Sequence, residues 1–150
     1  MNSKLPRGIS NCNPGNIDRH AGVSWQGQSN DQSGDSRFVV FKTPEYGIRA
    51  LAKVLLTYSH NRRASDGTKI DTLTDIVERW APTNENDTDA YIDHLVKLTG
   101  FDADKHINLD DFSTIKKVVK AIITHENGSQ PYSDDVINAG IELAGVKKNV

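Results

Sequence analysis

Apolar residues recur at helical spacing along most of the chain, and each such stretch is bracketed by residues that start or stop helices. Phe112, Ile115, Val118, Val119, Ile122 and Ile123 fall on one face, so a helix with one buried side is expected there. Asp110 supplies its N-cap. Gly128 sits where a left-handed residue closes a helix, which puts the end at Glu126 or Asn127. Upstream, Thr43-Pro44 opens a helix whose apolar positions, from Tyr46 through Ala50, Leu51, Val54, Leu55 and Tyr58, continue to about His60. A short helix is predicted from Leu73 to Trp80, stopped by Pro82. After a turn at residues 83–87, Asp87 or Thr88 caps a further helix through Tyr91, Ile92, Leu95 and Leu98 to Gly100. The last helix starts from Ser133 and runs through Val136, Ile137 and Ile141 to Gly145.

The front of the chain has a different pattern. Residues 7–36 are rich in Gly, Asn, Ser, Gln and Asp, and so long an irregular segment in a small domain tends to carry function. Asn13-Pro14-Gly15-Asn16-Ile17 is a dense turn signal. Arg37-Phe38-Val39-Val40-Phe41-Lys42 reads as a strand, expected to pair with residues 23–26 in a small sheet. The expected architecture is therefore one mainly α domain over residues 1–150. It has about five helices and a small β-lobe near residues 22–42, with residues 1–6 and 146–150 flexible.

Composition narrows the function. The chain has 150 residues, 36% hydrophobic and 25% charged, enough for one domain with a core. A net charge of −2 provides no broad basic surface, so nucleic acid is not an expected partner. Cys12 is the single cysteine, which excludes an intrachain disulfide. No apolar run of about 18 residues exists and the N-terminus does not resemble a signal peptide. Synthesis in a cytoplasm without stable membrane insertion is the expectation. The histidines at 20, 60, 94, 106 and 125 form no metal-binding pattern with each other or with Cys12, so neither a metal nor another cofactor is expected.

Glu126 is the candidate for acid chemistry. At the foot of a helix it faces the negative end of the helix dipole, which opposes its ionisation at a cost of about 0.3–1 kcal/mol. A general acid must hold a proton near neutral pH, and such a place favours that. The alternative is a solvated surface glutamate. Glu45, in the first turn of its helix, is the second catalytic candidate, with Asp31 and Asp35 behind it; a purely dipole-stabilising role for Glu45 competes. Trp25 beside Gln26 offers an apolar ring face next to an amide, a combination that suits sugars, against the alternative that Trp25 plugs a small core.

Taken in order, these motifs resemble a known pattern. Asn13-Pro14-Gly15-Asn16-Ile17, then Trp25-x-Gly27, then Phe38-x-x-Phe41-x-Thr43-x-Glu45-x-Gly47-Ile48, and later Asp87-Thr88-x-x-Tyr91, are similar to the β-lobe and following steps of lysozyme-like peptidoglycan glycosidases, of the glucosaminidase and lytic transglycosylase type. Small phage virion proteins carry a similar pattern. The likeness spans about residues 7 to 140.

The order departs from that family in one respect. Its catalytic Glu helix precedes the Asn-x-x-Gly-Ile stretch, whereas here an apolar helix ending in Glu126 comes at the back. A circular permutation would account for this, and permutation is tolerated where termini lie close together at the surface. Asn127 follows Glu126 where many lytic transglycosylases have Ser, and their Gly-Leu-Met-Gln signature is absent, which leaves the subfamily open.

The resemblance implies a phage lysin, either an endolysin or a virion-associated enzyme, whose substrate is the peptidoglycan glycan strand. Glu126 and Glu45 would be catalytic; Asn13, Asn16, Trp25, Gln26, Tyr91 and Tyr132 would line the sugar groove. Such an enzyme would act in the periplasm or cell wall, or be carried in the virion with other virion proteins as partners. Two other classes stay open: a non-catalytic virion or wall-binding protein that retains the fold, and a small helical protein-binding adaptor.

Overall fold

The computed structural model describes residues 5–83 and 86–148. Six helices follow one another: α1 (Arg7–Ser10), α2 (Pro44–Asn61), α3 (Leu73–Trp80), α4 (Thr88–Thr99), α5 (Phe112–Asn127) and α6 (Asp134–Leu143). The fold is mainly helical. Of the expected flexible ends, residues 1–4 and 149–150 lie outside the described residues, but Val146 is buried in the main core, so the chain is packed at least that far.

Local chemistry explains the helix ends. The side chains of Thr72, Asp87 and Ser133 accept from backbone N–H groups in the first turns of α3, α4 and α6, supplying acceptors that the open helix end lacks. Gly100 and Gly128, at φ of 79° and 74°, close α4 and α5. The cap of α5 is Asp111 rather than the expected Asp110, because Asp111 accepts from both the backbone and the hydroxyl of Thr114. Asp110 instead meets His60 at 2.7 Å. Two of the five turn residues at 83–87, Asn84 and Glu85, lie outside the described residues.

The helices enclose one large core, with Ile48, Leu51, Leu55, Leu73, Ile76, Leu95, Ile115, Ile122 and Ile137 at its centre. Helices α2 and α6 make the most extensive contact. Gly140 permits it, since a Cβ there would lie 2.5 Å from the Ile48 methyl. Ile17, Val39, Phe41 and Ala50 form a second, smaller core, and Trp80 packs against both clusters.

The front segment corrects the expected β-lobe. Among the described residues the segment 37–42 makes only isolated bridges, Asp18 with Phe38 and Gln28 with Phe41, with bends at Arg37 and Lys42. Its partners are therefore residues 17–19 and 27–29, not 23–26. A regular ladder fails to form because side-chain amides occupy its backbone groups. Asn13 donates to the Val39 carbonyl at 2.9 Å, while Gln32 both accepts from and donates to the Val40 backbone. Polar side chains here serve in place of a neighbouring strand.

Candidate functional site: a groove around Glu126

The turn at residues 13–16 is held from three sides. Asn13 is fully buried; its amide accepts from Ile17 N–H and donates to the carbonyls of Ile17 and Val39. Asn127, the last residue of α5, donates to the Pro14 carbonyl at 2.8 Å. Gly47 of α2 lies so close that a Cβ there would overlap the Cys12 carbonyl oxygen. Asn16 emerges from this turn at φ 51°, in the left-handed region that Asn tolerates better than most residues.

That conformation delivers Asn16 to Glu126. The Asn16 amide donates to Glu126 Oε1 at 3.0 Å, and the Tyr91 hydroxyl donates to Glu126 Oε2 at 2.8 Å. Trp80 Nε1 donates to the Tyr91 oxygen at 3.0 Å. An indole N–H can only donate, so the single Tyr91 proton is directed to Glu126. Burial first, then the Glu126 charge and hydrogen bond, push the Tyr91 phenol far above its ordinary value, so it stays a donor across the whole physiological range. Each carboxylate oxygen thus accepts one hydrogen bond and keeps a free lone pair.

Glu126 lines a groove of about 670 Å³ together with Asn16, Asp18, Trp25, Phe38 and Trp80. Two indoles and the partly exposed Glu126 carboxyl, with Asp18 also in the wall, therefore share a cleft where the small core meets the large one. Asp18 is held by Arg37 at 2.6 Å. His125, next in sequence, stacks on the Tyr91 ring with centroids 3.6 Å apart, and its Nδ1 lies 2.9 Å from His94 Nδ1. Burial, then His94, hold the His125 pKa below its usual value, with Glu126 acting in the opposite direction.

The expected site residues divide. Glu126, Asn16, Trp25 and Tyr91 come together, although Tyr91 reaches the site only through its hydroxyl, its ring being buried. Gln26 is exposed and lines an adjoining groove that shares Trp25. Asn13 shapes the turn and is shut off from solvent. Glu45 does not line the Glu126 groove; it lies near Cys12, where its charge adds to the burial that raises the thiol pKa. Tyr132 also stands apart, packed on the main core with a buried hydroxyl that has no partner among the described residues; burial, then Cys12, push it up to about 12.

The two reserve carboxylates are engaged elsewhere. Asp35 accepts from Arg7 at 2.6 and 2.7 Å, from Asn11 and from two backbone N–H groups. Asp31 binds Ser33 on the surface. Trp80 and Asp18 were not singled out from sequence. The one signal for Trp80 was a large aromatic ending an amphipathic helix just before Pro82.

Among the described residues no helix is long and apolar enough to cross a membrane. No family model matches the chain. Over 142 residues the chain is 38% identical to Protein P5 of Pseudoalteromonas phage PM2, covering 93% of this chain and 82% of that protein. At that identity and coverage, the chain belongs to the same family as Protein P5 of this phage.

Proposed function

We propose that this protein is a peptidoglycan-cleaving glycosidase of lysozyme-like type, circularly permuted, with Glu126 as its general acid. The observation that carries this is the setting of Glu126. Its carboxyl opens on a groove flanked by Trp25 and Trp80, while Asn16 of the front turn and Tyr91 of α4 fix its two oxygens. Sugar rings stack on indole faces, and a fixed acid beside them can reach a glycosidic oxygen.

Protonated Glu126 gives its proton to the glycosidic oxygen as the C1–O bond breaks. The electron pair leaves with that oxygen, and C1 develops oxocarbenium character. Water, or the 6-hydroxyl of the same sugar, then bonds to C1 and returns a proton to the Glu126 carboxylate. The substrate's acetamido oxygen can support C1, so a second carboxylate is not obligatory. Asp18 is the other carboxylate lining this groove among the described residues, and its pairing with Arg37 favours a place in the cleft wall. Kinship with a phage protein fits delivery to the wall in a virion or at host lysis.

Incubation with purified peptidoglycan tests the reading. Soluble fragments with anhydro ends indicate a transglycosylase, and fragments with reducing ends a hydrolase. Tight sedimentation with peptidoglycan and no soluble product would point instead to a wall-binding module.

A further inference from the structure

A second groove, of about 920 Å³, adjoins the first and shares Trp25, Val54 and Tyr58 with it. Its chemistry is different. Arg49 and Lys53, four residues apart on α2, face Arg62 at the end of that helix and Arg79 on α3. Among the described residues Glu78 is the one acid in this lining, in a chain whose net charge is −2. None of the four cations forms an ion pair among the described residues. Arg49 Nε is buried with no partner among the described residues, the Arg62 guanidinium bonds only the Asn61 carbonyl, and Arg79 lies over the Tyr58 ring at 5.5 Å. Four like charges around one cleft repel each other, a cost that an entering anion offsets.

We infer that this basic arm takes the carboxylates of the acidic peptides that hang from the glycan strand. The inference rests on the glycosidase reading and extends it to the substrate's side branches. Amino-sugar rings are uncharged and suit the Trp-lined groove. The lactyl-linked peptides of every second sugar carry carboxylates, which guanidinium forks and an ammonium group recognise. Because the two grooves meet at Trp25, Val54 and Tyr58, a strand lying across Glu126 can send its branch into the arm. Phosphate groups of other wall polymers share this anionic chemistry, so the substrate for the test must be free of them.

The test compares initial rates of fragment release from phosphate-polymer-free peptidoglycan and from the same glycan stripped of peptides by an amidase and then amidated at the lactyl carboxylates that the amidase frees. The full-length protein should favour the peptide-bearing strand. In Lys53→Gln/Arg62→Gln that preference should fall about tenfold, whereas Lys53→Arg, which keeps the charge and leaves the Arg62 fork in place, should keep it. About 0.5 M salt should weaken the wild-type preference in the same direction. An unchanged preference in the Gln double variant, or a wild-type protein that cleaves both strands equally, overturns the inference and leaves the glycosidase intact. Cleavage of neither strand overturns the glycosidase, and this inference with it.

Discussion

Asn16 and Glu126, 110 positions apart, meet through a single hydrogen bond of 3.0 Å from the asparagine amide to the glutamate carboxylate. The bond joins a turn near the start of the chain to the foot of α5. Asn127 repeats the connection one residue later through the Pro14 carbonyl. A circular permutation requires this return of the Glu126 helix beside the front segment, and the proposed chemistry depends on it.

Tyr91→Phe should weaken both stability and cleavage. The ring still fills its buried site, but Trp80 Nε1 loses its acceptor and Glu126 loses a donor. Trp80 is partly buried, so the lost bond costs about 1 kcal/mol, or roughly 2–4 °C in Tm for a chain of this size. Cleavage should fall by about ten- to a hundredfold, because Glu126 is no longer fixed. Thermal unfolding together with rates on peptidoglycan checks both outcomes.

Asp35→Asn should destabilise the protein at neutral pH by about 1–3 kcal/mol. The Arg7 guanidinium, ahead of the backbone N–H groups of Phe38 and Arg37, holds the Asp35 carboxyl far below the usual carboxylate range, and burial opposes this only in part. A depressed folded-state pKa gives stability that is complete above the unfolded value of about 3.9 and is lost as pH falls toward the folded value. The gap between wild type and variant should therefore narrow on acidification below about pH 4. Denaturant titrations at neutral and acid pH measure it.

His125→Gln should flatten the dependence of stability on pH in the mildly acidic range. The folded protein resists protonating His125 because of its burial and of His94, against the pull of Glu126. Below about pH 6.5 the unfolded chain takes up a proton that the folded chain resists. Stability is thus fully present above that pH and declines as pH falls toward the lowered folded value. Unfolding free energies from about pH 7.5 to about pH 5 should show a steeper fall in wild type than in the variant.

Helices and their ends were largely legible in the sequence, because caps and apolar periodicity are local signals. Thr72, Asp87, Ser133, Gly100 and Gly128 each act within a few residues of where they stand. The cap of α5 was expected at Asp110 and lies at Asp111, which accepts from the backbone and hydroxyl of Thr114. α1 has four residues, too few to show a period. The ladder expected near residues 22–42 was not legible because its replacement is non-local: Asn13 reaches Val39, 26 residues away. Glu126 stood out as a carboxylate closing an apolar helix, and residues 13–17 as a dense turn signal. The indole–phenol–carboxylate chain through Trp80, Tyr91 and Glu126 did not, since it joins three helices whose packing no local pattern encodes.

The most direct test of the central claim is the rate of soluble-fragment release from purified peptidoglycan by wild type, Glu126→Gln and Glu45→Gln. Gln keeps the volume of Glu126, its one carbonyl oxygen can accept from Tyr91, and its NH2 can donate to Asn16 Oδ1 once that amide turns over, but it has no proton to give to a leaving oxygen. Glu126→Gln should fold normally and lose activity by about 10²- to 10⁴-fold, equivalent to roughly 3–5 kcal/mol of barrier. Glu45, which does not line this groove, should tolerate the change with most activity kept. Full activity in Glu126→Gln, or its loss in Glu45→Gln alone, would contradict the assignment of the acid to α5.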